Sequence, residues 1–131
     1  MIQLSKRLNA VAELLVHGID QLELEQPVLA DIGTDHAYLP VYLVQKKVVK
    51  KAYAADVRKG PLLHAKEHIE QYGLGEYIQT RLSDGGGSFV PGESEVAVIA
   101  GMGGGLMQKI LSGSPEFFEK NSCVVLQPQS E

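Results

Sequence analysis

The sequence predicts a doubly wound α/β fold: one mostly parallel sheet, strand order 3-2-1-4-5, with helices on both faces. Three observations carry that expectation. Short apolar runs alternate with helix-forming stretches along the whole chain. Most of these runs are apolar almost throughout, as expected of strands covered on both faces. Acids and glycines follow several runs directly, and an open parallel sheet binds its ligand there, outside the carboxyl ends of its strands, beside the switch point between strands 1 and 4.

The elements follow in order. Leu4, Leu8, Val11, Ala12 and Leu15 fall on one helical face, which predicts a helix from Leu4 to Val16 with Ser5 as N-cap and Gly18 as its stop. Val28–Ile32 reads as the first strand, closed by Gly33. A helix from Ala37 to Lys47 tolerates Pro40 because it lies in the first turn. Lys51–Asp56 is the second strand. The helix from Pro61 to Tyr72 carries proline at its first position, with Gly73 beyond its end. Tyr77–Leu82 and Glu95–Ala100 are the third and fourth strands. Helices over Leu106–Leu111 and Pro115–Lys120 lead to a fifth strand, Cys123–Leu126, which Pro128 ends.

Composition bounds the rest. A length of 131 residues suits one domain, and 44% hydrophobic with 21% charged residues argues for a packed core over disorder. No apolar run reaches the roughly 18–20 residues that cross a bilayer. The amino terminus lacks the pattern of a signal peptide. A lone Cys123 within the apolar run CVVL points to a buried thiol in a reducing compartment, hence a cytoplasmic protein. The net charge of −4 is not that of a dedicated nucleic-acid binder, so an RNA substrate would need a local basic patch or another part of the protein to grip it.

The predicted strand ends deliver Asp31, Gly33, Thr34, Asp35 and His36, then Asp56, then Asp84, then Ala100, Gly101, Met102, Gly103 and Gly104. Four carboxylates are thus expected in one crevice, where like charges repel and are costly to gather. Gly33 lets the backbone pass close to a ligand. Asp56 stands at the end of the second strand, where an acid accepts hydrogen bonds from both hydroxyls of a ribose. Asp84 is placed to meet an adenine. A dinucleotide would need a second glycine where Asp35 stands, since that glycine makes room for a pyrophosphate. A sulfonium and an ammonium, by contrast, suit an acidic crevice. The expected cofactor is therefore S-adenosyl-L-methionine, and NAD and ATP are disfavoured.

The segments SKRL (Ser5–Leu8), DIGTDHAYLP (Asp31–Pro40), GP (Gly60–Pro61), IAGMGG (Ile99–Gly104) and LQP (Leu126–Pro128) resemble, in order and across nearly the whole chain, the TrmK family of bacterial tRNA (adenine(22)-N1)-methyltransferases. The resemblance implies a Rossmann-like, S-adenosylmethionine-dependent methyltransferase domain over residues 1–131, and a tRNA substrate held mainly by a C-terminal helical region that this chain lacks. It implies that Asp31, Gly33, Asp35, His36, Asp56, Asp84, Ala100, Gly101 and Met102 line the cofactor site, that Asp35 stands at the catalytic centre, and that Arg7 reaches the cofactor carboxylate or a tRNA phosphate. Two features depart from the family: Asp56 stands where glutamate is more usual, and Gly85–Gly87 replace a single glycine followed by leucine. Ending after LQP, the chain is expected to be truncated on its C-terminal side and to leave its fifth strand as an open edge, a place for a homodimer to form.

Other readings stay open at this stage. The same sheet would serve a methyltransferase for small molecules or proteins, or a non-enzymatic nucleotide-binding module. His64 and His68, four apart on a helix, read as solvated residues and not as a metal pair. His36 either takes part in the chemistry or caps the helix that follows. Lys46, Lys47, Lys50 and Lys51 read as a solvated helix end, with phosphate binding as the alternative. Tyr38 and Tyr42 are expected in the core or a pocket wall.

Overall fold

A computed structural model describes residues 2–129. Its elements run α1 (Lys6–Gln21), β1 (Val28–Ile32), α2 (Tyr38–Gln45), β2 (Lys51–Asp56), α3 (Lys59–Gln71), β3 (Ile78–Leu82), β4 (Val96–Met102), α4 (Gly104–Gly113), α5 (Pro115–Lys120) and β5 (Cys123–Pro128). The five strands form one sheet in the order β3-β2-β1-β4-β5. Every pairing is parallel, with β1 at the centre between β2 and β4. The doubly wound order expected from the sequence is the order observed.

Alternation along the strands splits the core in two. Leu29, Ala52, Ala54, Val96, Val98 and Val125 face α1, α2 and α3. Ala30, Ile32, Tyr53, Ala55, Ala97 and Ile99 face the opposite way, against Phe89 and against Met107, Phe117 and Phe118 of α4 and α5. The β3–β4 connection contributes no helix among the described residues, and buried Phe89 fills that space, stacked on Phe117 at 4.9 Å. Arg81 lies over the Tyr53 and Phe89 rings at 4.4 and 4.7 Å and donates to Glu93 Oε1 at 2.7 Å. That pair seals the outer side of the second core.

Several boundaries differ from expectation. Ser5 caps α1 as predicted, its hydroxyl accepting from Leu8 N at 3.2 Å. Gly18 does not stop the helix. Helix α1 runs on to Gln21 because Ile19 is buried in the next turn, and such burial is worth on the order of 2 kcal/mol, more than glycine costs. Gly18 is instead a point of close approach, where an added Cβ would lie 2.8 Å from Cys123 Sγ on β5. Cys123 is accordingly only half-buried, wedged between α1 and the sheet edge. Helix α3 begins two residues before Pro61 and α4 two before Leu106, since a first turn needs no internal partners for its N–H groups. Strands β4 and β5 reach Met102 and Pro128, past the expected ends. β3 is not uniformly apolar: on this edge strand Ile78 is buried, while Gln79 to Leu82 are half-buried or exposed.

The lysine cluster lies at the wrong pole for a role beside the strand tips. Lys51 is the first residue of β2 and Asp56 the last, so Lys46, Lys47, Lys50 and Lys51 gather at the amino ends of the parallel strands. No described helix is long and apolar enough to cross a membrane.

Candidate functional site

The carboxyl end of β1 turns sharply at Gly33, whose φ of +77° favours glycine. Its N–H and that of Thr34 both donate to Ala55 O, at 2.9 and 2.8 Å, which fastens the turn to β2. His36 and Ala37 then adopt left-handed conformations, with φ of 52° and 58°. Two consecutive non-glycine residues in that region store strain of order 1–3 kcal/mol each. The buried Ala37 methyl and the His36 ring contacts hold them there.

The four expected carboxylates gather at one end of the sheet but do not share one crevice. Asp31 and Asp35, with Arg7, Leu8, Leu39 and Ala100, line a narrow compartment of about 10 Å³. Asp56 and Asp84 line a wider cavity of about 440 Å³, together with Ile32, Val57, Arg58, Ser83, Gly85, Gly101, Met102, Leu106 and Ile110. Gly33 borders both. Strand alternation accounts for part of the division: Asp31 shares the face of Leu29 and Ile32, in the wide cavity, points to the other, whereas Asp56, following Ala52 and Ala54, is on the face of Asp31 and borders the wide cavity from the tip of β2. Met102 completes the partition, its Cε crowding the position that a Gly33 Cβ would take.

Each acid has its own environment. Asp31 is buried, with 4% of its surface exposed, and accepts from Thr34 Oγ1 at 2.8 Å. Burial raises its pKa to about 7, against the hydrogen bond from Thr34, and the charges of Asp35 and Asp56 push the same way. Asp56 is buried too, and its Oδ1 accepts from the backbone N–H and the Nε of Arg58, at 2.9 and 3.3 Å. Asp35 is open to solvent at the mouth of the narrow compartment, 3.5 Å from Arg7 Nη2. Asp84 is exposed at the rim of the wide one.

His36 is the expected site residue that the structure turns away. It lines neither compartment, and stacks on Tyr38 at 5.2 Å and against His64 at 5.6 Å. The helix cap it was considered for falls to Ala37, without a side-chain bond. His68 is not simply solvated, since its Nδ1 meets the His36 carbonyl oxygen at 3.0 Å and its ring packs edge-on to Tyr38 and Tyr72. These histidines brace the strained turn from α3. Among the described residues no group of His, Cys, Asp and Glu is arranged to hold a metal ion.

Thr34 was expected at the strand end, but its role, and the parts played by Ser83, Leu106 and Ile110, were not legible. Thr34 and Ser83 are buried hydroxyls that fix Asp31 and the Gly85 turn, with Ser83 Oγ 2.7 Å from Gly85 O. Leu106 and Ile110, one turn apart on α4, form the apolar wall opposite Asp56 and Asp84. Their spacing was a signal, although it also fits an ordinary core helix.

A five-stranded parallel sheet whose strand tips border a wide cavity and, across a glycine turn, a narrow acidic one is a doubly wound α/β domain. The sequence model of the family described as "Methyltransferase domain" matches residues 4–131, and the chain belongs to that family. It is 39% identical over 97% of its length to a tRNA (adenine(22)-N(1))-methyltransferase of Bacillus subtilis, of which it covers 50%. It is similar to the TrmK structure of M. capricolum in complex with S-adenosyl-homocysteine, with 38% identity, a TM-score of 0.72, and coverage of 85% of this chain and 47% of that one. A Streptococcus pneumoniae protein solved in complex with S-adenosyl-L-methionine superposes with a TM-score of 0.85, at 37% identity over 96% of this chain and 56% of that one. The chain spans about half the length of the curated relatives it matches.

Proposed function

We propose that this domain binds S-adenosyl-L-methionine and transfers its methyl group to N1 of an adenine in tRNA, in the cytoplasm. The observation that carries the reading is the pair of compartments meeting at Gly33. The wide one suits an adenosine, with Asp56 Oδ2 left for the ribose hydroxyls, Leu106 and Ile110 flanking the base, and Asp84 at its edge. The narrow one suits the amino-acid end, with Asp31 for the ammonium and Arg7 for the carboxylate. Buried acids welcome a sulfonium and repel a pyrophosphate. At about 10 Å³ the narrow compartment is closed down, so entry requires the flexible Met102 side chain beside Gly33 to swing aside.

Bound there, S-adenosylmethionine supplies an electrophilic methyl carbon, which the lone pair of adenine N1 takes by in-line displacement as the carbon–sulfur bond breaks. The chain's own residues contribute alignment and charge. Gly33 and Gly101 stand at the two strand tips that border the wide cavity, and alignment of the reactants there is the largest expected contribution. Asp35, open at the mouth, stabilises the positive charge that develops on the methylated ring and accepts from the exocyclic amine. N1 is occupied in a base pair, so the target adenine must be unpaired or flipped out.

Titration of this chain with S-adenosylmethionine, NAD and ATP tests the cofactor. Mass analysis of tRNA nucleosides after incubation with this chain, and with any longer natural form of it, tests the reaction. Asp35→Ala is expected to lower turnover by roughly a hundredfold or more, a much larger effect than on cofactor affinity, which changes only through the 3.5 Å contact with Arg7. Near-normal turnover of that variant removes Asp35 from the chemistry, and preference for NAD overturns the cofactor assignment.

A further inference from the structure

Gln127, near the end of β5, has no part in the reading above, yet its side chain joins three segments around the narrow compartment. Its Oε1 accepts from Arg7 Nη1 of α1 at 3.1 Å and from Gly101 N of β4 at 3.0 Å. Its Nε2 donates to Pro128 O at 3.0 Å. The two donors facing Oε1 fix which way the carboxamide points, because a flipped amide would set N–H against N–H.

The arrangement depends on a break in the sheet. The β4–β5 ladder shifts register between Ala100 and Met102, and Gly101 there has a φ of +76°. Its N–H leaves the ladder and finds the Gln127 side chain instead. A Cβ on Gly101 would lie 3.2 Å from Arg7 Nη1, so the same glycine gives the guanidinium its room. Arg7 is then held at both ends, by Gln127 through Nη1 and by Asp35 through Nη2 at 3.5 Å. A guanidinium has five N–H donors, so others remain for a ligand oxygen.

We propose that Gln127 is a positioning residue for the amino-acid end of the cofactor: its carboxamide oxygen holds Arg7 across the mouth of the Asp31–Asp35 compartment, set to receive the cofactor's carboxylate. This rests on the reading that the compartment takes that end of S-adenosylmethionine. Pre-ordering a long, flexible arginine removes a cost that ligand binding would otherwise carry. Gln127 itself touches no reacting atom.

The test compares two ligands, S-adenosylmethionine and 5′-methylthioadenosine, which keeps the adenosine and sulfur but has no amino-acid end. Calorimetric titration is made on the unmodified chain, Gln127→Leu, Arg7→Met and the double variant. Loss of one hydrogen bond to a charged group predicts roughly tenfold weaker S-adenosylmethionine binding in Gln127→Leu. Binding of 5′-methylthioadenosine stays within about twofold, a selectivity that general loosening of the fold would not give. The double variant binds no more weakly than Arg7→Met alone, because Gln127 acts through Arg7. Gln127→Asn, which withdraws the oxygen by one methylene, gives the same selective loss and serves if the leucine variant does not fold. Equal loss of both ligands, unchanged S-adenosylmethionine binding, or additive effects in the double variant overturn the proposal alone. If the unmodified chain binds neither ligand, the cofactor reading falls and the proposal with it.

Discussion

Asp31→Asn isolates the electrostatic cost of the site. Unfolded, this carboxyl titrates near its ordinary 3.8, whereas in the folded chain burial, with Asp35 and Asp56 close by, raises it to about 7. Between those values the folded state holds a proton that the unfolded state has released, so this group makes stability fall as pH rises. Its contribution is fully present below pH ~4 and lost as pH passes through about 7. The gap corresponds to roughly 4 kcal/mol of penalty once Asp31 is ionised. Asparagine cannot ionise, and its carbonyl still accepts the Thr34 hydroxyl that Asp31 accepts at 2.8 Å. Its extra N–H donors cost something in return. The variant is therefore expected to be no more stable than the natural chain near pH 4, to gain on it by up to about 1.4 kcal/mol per pH unit between about 4 and 7, and to exceed it by roughly 2–4 kcal/mol at pH 8. Urea unfolding followed by circular dichroism across that range measures the difference, with contributions common to both chains cancelling. The same substitution should weaken S-adenosylmethionine binding at pH 8, because the carboxylate that would face the ammonium is gone. In the unmodified chain that affinity should fall by up to about tenfold for each pH unit below 7, as binding must then expel the Asp31 proton. A difference in stability that does not vary with pH, or that stops growing by about pH 5, refutes the reasoning by showing that Asp31 is not held neutral.

Two further substitutions test the packing that supports the site. Gly18→Ala sets a methyl against Cys123 Sγ and should cost about 1–2 kcal/mol by thermal or urea unfolding, despite alanine's better helix propensity. In a Cys123→Ala background the same change should turn stabilising, and failure to change sign would mean that the contact does not fix the spacing of α1 and β5. Glu93→Gln removes the charge paired with Arg81 at 2.7 Å and should destabilise by about 1–2 kcal/mol at pH 7. The Arg81 hydrogen bond holds the Glu93 carboxyl below its ordinary range, so that contribution is present above the usual glutamate pKa and fades as pH falls through the lowered one. An equal effect at pH 3 and pH 7 would assign it to packing and not to charge.

Periodicity and punctuation are local, and what they control was legible. The apolar runs located five strands, and β1 and β2 begin and end where the pattern places them. Boundaries slipped where tertiary contacts outweighed local preference, as at Gly18, where burial of Ile19 carries the helix through a glycine. Acid and glycine positions after each strand marked the ligand end of the sheet, because the chain's direction through a parallel sheet fixes which tips come together. The acids and glycines of the candidate site were therefore visible before the shape of its compartments was.

The amino-acid sequence by itself determined the strand order, the pole of the sheet that carries the site, and the gathering of acids there. Only the tertiary structure decided how those acids are divided. Asp31 and Asp35 border the narrow compartment and Asp56 and Asp84 the wide one, with Gly33 and the Met102 side chain between them. It also decided that His36 turns toward α3 and that Gln127, from the far edge of the sheet, reaches Arg7. Those outcomes rest on contacts between residues distant along the chain, such as Arg7 and Gln127, and no local pattern encodes which distant partner a side chain will find.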